Sequence, residues 1–132
     1  MLPEIEDLLE KMNSHRTELL TILEGLSKEA TERHPEGEWS AKQQVAHLVQ
    51  AEPTWVEWAR TIRNEPGTTV GQTPAEGQIF LQDVDAADNR PLFWWLERLR
   101  ETRAKTLKGL DEMDLASDDA LSRAGRHRTF GD

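Results

Sequence analysis

Four histidines, His15, His34, His47 and His127, are the residues of this 132-residue chain whose type could bind a metal or move a proton near neutral pH. Their surroundings differ. His47 lies beside an apolar helical stripe, with Gln44, Ala51 and Trp58 on its side of the helix, which makes it the best candidate for a ligand. From the residues alone, a histidine at such a rim is more commonly a hydrogen-bonded core residue than a metal ligand. His15, at the edge of an earlier stripe, is expected to pack its ring and wet one nitrogen. His34 stands before Pro35 and reads as an exposed loop residue. His127 sits between Arg126 and Arg128, whose charges repel a divalent cation. There is no cysteine, so disulfides, thiolate chemistry and cysteine metal sites are excluded. No Gly-rich phosphate loop, HExxH pair or nucleophile elbow occurs, and no spacing of Ser, His and Asp singles out a nucleophile.

His47 is positioned by the segment Trp39 to Ile62. Ser40 and Gln43 have capping-box spacing, so a helix should start there. Ala41, Val45, Leu48, Glu52, Trp55, Ala59 and Ile62 then recur at alternating steps of four and three. Pro53 removes a backbone donor and predicts a kink near Val49 to Pro53. Upstream, Pro3 to Glu24 reads as a helix burying Ile5, Leu8, Leu9, Met12, Leu19, Ile22, Leu23 and Leu26, and Ser27 could cap a short turn, SKEATER. Downstream, 64–88 holds three glycines and two prolines without sustained period, which predicts a long crossover, either a loop or a segment with a short helix near Gly77 to Asp83. A third long helix runs from about Asn89 to Met113, burying Leu92, Trp95, Leu96, Leu99, Thr106, Leu107, Leu110 and Met113; Trp94 falls off this stripe, free to face solvent or a partner. Glu52 and Arg103 fall on the apolar stripes of two different helices. A buried charge is costly unless paired, so they are expected either to form an ion pair or to reach solvent past the seam. Leu115 to Leu121 is a candidate last turn, and RAGRHRTFGD reads as turn-like.

Sixteen basic against twenty-five acidic residues give a net charge of −9, which argues against a nucleic-acid or anionic-membrane surface. Residues 122–132 carry +2, leaving −11 for the rest. No apolar run approaches the roughly 20 residues of a membrane helix, and the acidic amphipathic N-terminus is unlike a signal peptide. One cytoplasmic domain over 1–132 is the expectation.

The run LSKEATERHPEGEWSAKQQVAHLVQAE, with its Trp-Ser pair opening a helix and a His-Leu one to two turns later, resembles the signature of the DinB-like superfamily. RETRAKTLKGLDEMD is similar to that family's third helix, and RAGRHRTFGD to the link before its fourth. The resemblance implies an all-α, up-down-down-up four-helix bundle holding a divalent metal on three histidines, one on the second helix and two, spaced HxxxH, on the fourth. His47 matches the first ligand, and no residue here matches the other two. The chain stops at Asp132, where the fourth helix would begin, so three long helices are expected with the fourth missing or truncated.

That resemblance implies a metal-dependent enzyme or its remnant, using Zn²⁺ or Ni²⁺ to transfer a small thiol or hydrolyse a small substrate, with Trp58 and Gln44 lining the pocket. One imidazole leaves such a site incomplete. Seams lacking a fourth neighbour would leave an apolar groove, and homodimerisation is its simplest remedy. The alternative is a non-catalytic helical module whose groove binds a partner helix.

Overall fold

The computed structural model describes residues 2–113, 115 and 122–128. Helix α1, Pro3–Glu24, has proline in its first turn with Glu4 and Glu6, and ends at Gly25. Helix α2, Lys28–Glu32, is capped by Ser27, whose hydroxyl accepts from the Ala30 amide at 3.1 Å. In α3, Ala41–Asn64, both capping-box bonds form: the Gln43 amide donates to Ser40 Oγ at 3.1 Å and the Ser40 amide to Gln43 Oε1 at 2.9 Å. Strand β1, Thr69–Val70, leads to α4, Pro74–Asp85, a 3₁₀ turn, Ala86–Asn89, and α5, Leu92–Glu112. Strand β2, Arg126–His127, follows.

The long helices form an all-α bundle. Leu23 of α1, Val45 and Ala46 of α3, Ala87, and Trp95, Leu96 and Leu99 of α5 make the core cluster. The indole of Trp95 donates to Ala87 O at 2.8 Å, tying the 3₁₀ turn to the helix it precedes. Residue numbers in contact rise together on α3 and α5, from Val45 with Leu96 to Glu52 with Arg103 and Val56 beside Gly109, so these helices are parallel. They fall on α1, where Leu23 lies with Val45 while Arg16 reaches Glu52, so α1 is antiparallel. This is the order expected of three consecutive helices in an up-down-down-up bundle.

The crossover takes the second of its two expected forms, a helix, which extends beyond 77–83 because Thr73 and Glu76 make a second capping box with Pro74 behind it. Other features depart from the sequence reading. Arg126 and His127 do not lie in a plain turn but pair, in parallel, with Thr69 and Val70. Glycines permit it: Gly71 has φ +123°, and a Cβ on Gly125 would stand 2.5 Å from an Ile62 carbon. Finally, Leu8 (56% exposed), Ile22 (63%) and Trp55 (50%) lie outside the core, as do Met12, Leu26, Ala59 and Leu107. A heptad stripe drifts by about 20° per repeat on a straight helix, so by the second half of α3 the inward row has passed from Trp55 and Ala59 to Val56 and Arg60. On α1 the inner row is Arg16, Leu19, Leu20 and Leu23. His15 is exposed rather than packed at the stripe's edge. Trp94 is half-buried, edge-on to Trp95, with Arg90 and Arg98 over its ring. The candidate turn over 115–121 lies, apart from Leu115, outside the described residues. Among the described residues no helix is long and apolar enough to cross a membrane.

Candidate functional site

His47 stands two turns into α3, and its neighbours come from either side of that helix in sequence. The Trp39 ring, just ahead of the Ser40 cap, lies 5.3 Å away at 47°, and Phe80 of α4 meets the imidazole edge-on at 5.3 Å and 88°. Between these rings Nδ1 is buried and has no hydrogen-bond partner among the described residues. One turn on, Gln50 Oε1 is likewise buried and unpartnered. A buried polar atom left unpaired costs roughly 1–3 kcal/mol, so this imidazole has unused capacity to bind.

The residues around it do not complete a metal site. Among the described residues no three His, Cys, Asp or Glu side chains gather as ligands for an ion. A zinc site that performs chemistry takes about three protein ligands, and His47 brings one. Gln44 is exposed, and the ring contact of Trp58 is with His127, at 5.3 Å and 78°. His34 lies 3.6 Å from Asp88, both partly exposed. The sequence singles out Trp39 only as part of the Trp-Ser pair, not as a neighbour of His47, and it does not single out Phe80. Phe80 had one usable signal, the Thr73-Pro74-Ala75-Glu76 capping box that makes its segment a helix.

A second polar cluster occupies the middle of the bundle. Glu52 Oε1 accepts from Arg103 Nη2 at 2.9 Å and Arg16 Nη2 at 3.1 Å, while Oε2 accepts from Thr106 Oγ1 at 2.8 Å and Arg103 Nε at 3.4 Å. Arg16 Nη1 also donates to Leu99 O, and Arg103 Nη1 to Asn13 Oδ1. Burial pushes the Glu52 carboxyl up, but the hydrogen bonds from Arg103 and Thr106 and the charges of Arg103 and Arg16 outweigh it and hold the group below its ordinary value. Burial, and then the charge of Arg103, push the Arg16 guanidinium down, against the pull of Glu52. With both carboxylate oxygens engaged, this cluster ties α1, α3 and α5 together and leaves Glu52 poorly suited to acid–base work. Arg16 is hidden in the sequence because it fills the gap between Met12 and Leu19 in the apolar pattern.

No curated protein and no solved structure matches the chain. A family model described as the DinB superfamily matches residues 11–132. With helical order, capping and coverage in agreement, the chain belongs to the DinB superfamily.

Proposed function

We propose that this protein binds a divalent metal, with His47 as one ligand and others supplied by a second subunit. The carrying observation is the buried Nδ1 of His47, without a partner among the described residues, on the second long helix of a DinB-superfamily bundle. Transfer of a small thiol, or hydrolysis of a small substrate in the cytoplasm, is the activity this reading extends to. The deciding experiment is metal content per chain of purified, untagged protein beside His47→Ala. Near-stoichiometric zinc or nickel that disappears in the variant supports the reading; a folded, metal-free protein after growth in supplemented medium overturns it.

A second reading, a helical interaction module that homodimerises or binds a partner helix, is favoured by exposed apolar side chains on all three long helices: Leu8 and Met12, Trp55, and Leu107. It requires binding that survives chelation and His47→Ala but is lost in Leu8→Glu/Trp55→Glu.

A further inference from the structure

Gln50 follows His47 by three residues on α3, so the two side chains leave one face of that helix with Cβ atoms about 5–6 Å apart. Each carries a polar atom that is buried without a hydrogen-bond partner among the described residues, Nδ1 of His47 and Oε1 of Gln50. Neither therefore serves the other. An amide oxygen only accepts, so burial leaves Oε1 in need of a donor or a cation. Nδ1 presents a lone pair of the same kind when the imidazole proton sits on Nε2. Two lone pairs one turn apart on a single helix make a chelating pair, as an i, i+3 carboxylate and imidazole do in metal-holding helix bundles. The apolar rings of Trp39 and Phe80, each with its centroid 5.3 Å from that of the imidazole, keep competing water away from it.

We propose that Gln50 Oε1 is a second protein ligand for the divalent metal, beside His47 Nδ1 and on the same helix. This rests on the metal-binding reading and adds a ligand that no histidine pattern reveals. A catalytic zinc site takes about three protein ligands, so one position then falls to the second subunit. An imidazole nitrogen with a neutral oxygen suits a borderline ion such as zinc, cobalt or nickel. Because both ligands are uncharged, the ion keeps its full charge and favours an anionic ligand in its remaining positions.

The test is titration of the full chain with cobalt(II), whose visible spectrum reports its donor atoms, beside His47→Ala, Gln50→Leu and Gln50→Glu. Expected are saturable binding by the unchanged protein, none in His47→Ala, and at least tenfold weaker binding with an altered spectrum in Gln50→Leu. Gln50→Glu, which offers a charged oxygen in place of a neutral one, should bind at least tenfold more tightly and also shift the spectrum. In chelator, Gln50→Leu should unfold at the same urea concentration as the unchanged protein or a higher one, because an unpaired buried oxygen is removed. No saturable cobalt uptake by the unchanged protein overturns the metal reading and this ligand with it. Binding that is lost in His47→Ala but unaltered in Gln50→Leu overturns Gln50 alone. Should Gln50→Leu fail to fold, Gln50→Glu decides, and an unchanged affinity and spectrum there overturn the proposal.

Discussion

Arg103 Nη2 lies 2.9 Å from Glu52 Oε1, joining α5 to α3 through two charges that both stand on apolar stripes. The side chain of Glu52 is 9% exposed and that of Arg103 13%, so neither escapes to water past the seam. Glu52 also takes Arg16 from α1, which makes one carboxylate the meeting point of the three long helices.

Truncating Arg103 should therefore destabilise strongly. Removing one partner of a buried pair costs about 3–5 kcal/mol, and Arg16 remains to share Glu52, so Arg103→Ala is expected near 3 kcal/mol in urea unfolding. Glu52→Ala, which leaves two guanidiniums without their carboxylate, should lose at least as much. A change below about 0.5 kcal/mol in either would mean the cluster contributes no more than an exposed pair.

The same cluster sets an acid limit. The Glu52 carboxyl titrates below its ordinary value of 4.5 when folded, so the unfolded chain binds that proton more tightly. Its contribution is fully present above about pH 4.5 and is lost as pH falls through the folded value. Unfolding midpoints should stay level from about pH 8 to pH 5 and then drop. Glu52→Gln should show a shallower drop, although not a flat one, because the Glu32 and Glu76 carboxyls are also held low, first by hydrogen bonds from Lys42 and Thr73 respectively.

In chelator-treated protein, His47→Leu should change stability by less than about 1 kcal/mol, or raise it. The substitution removes a buried nitrogen that has no partner among the described residues and keeps a similar apolar volume between Trp39 and Phe80. A loss above about 2 kcal/mol would reveal a structural histidine and count against its role as a ligand.

Trp95→Phe should lose about 1 kcal/mol, because it removes the indole N–H that donates to Ala87 O, while the Arg90 amide, at 3.3 Å, keeps that carbonyl partnered. Thermal unfolding checks this, and an unchanged midpoint would mean that the 3₁₀ turn is held by its backbone bond and packing without the indole.

Features that depend on a few neighbouring residues are legible in the amino-acid sequence by itself. The Ser40–Gln43 box marks the start of α3, the pattern from Pro3 to Glu24 bounds α1, and the Trp-Ser and His-Leu pairs point to the superfamily that the family model shows. The placement of Glu52 and Arg103 on two apolar stripes makes a pair one of two open outcomes. Each of these rests on hydrogen bonds or periodicity within one segment, which sequence spacing alone determines. Tertiary structure decides the rest. Periodicity specifies a helix face only to within its drift, so Leu8, Ile22 and Trp55 turn outward while Arg16 turns in. Phe80 reaches His47 from more than thirty positions away, and Arg126 pairs with Thr69 across a longer gap. Lys42 becomes buried only when α2 and the start of α5 close over it. Nothing local encodes such meetings, because they depend on which surfaces the folded helices bring together.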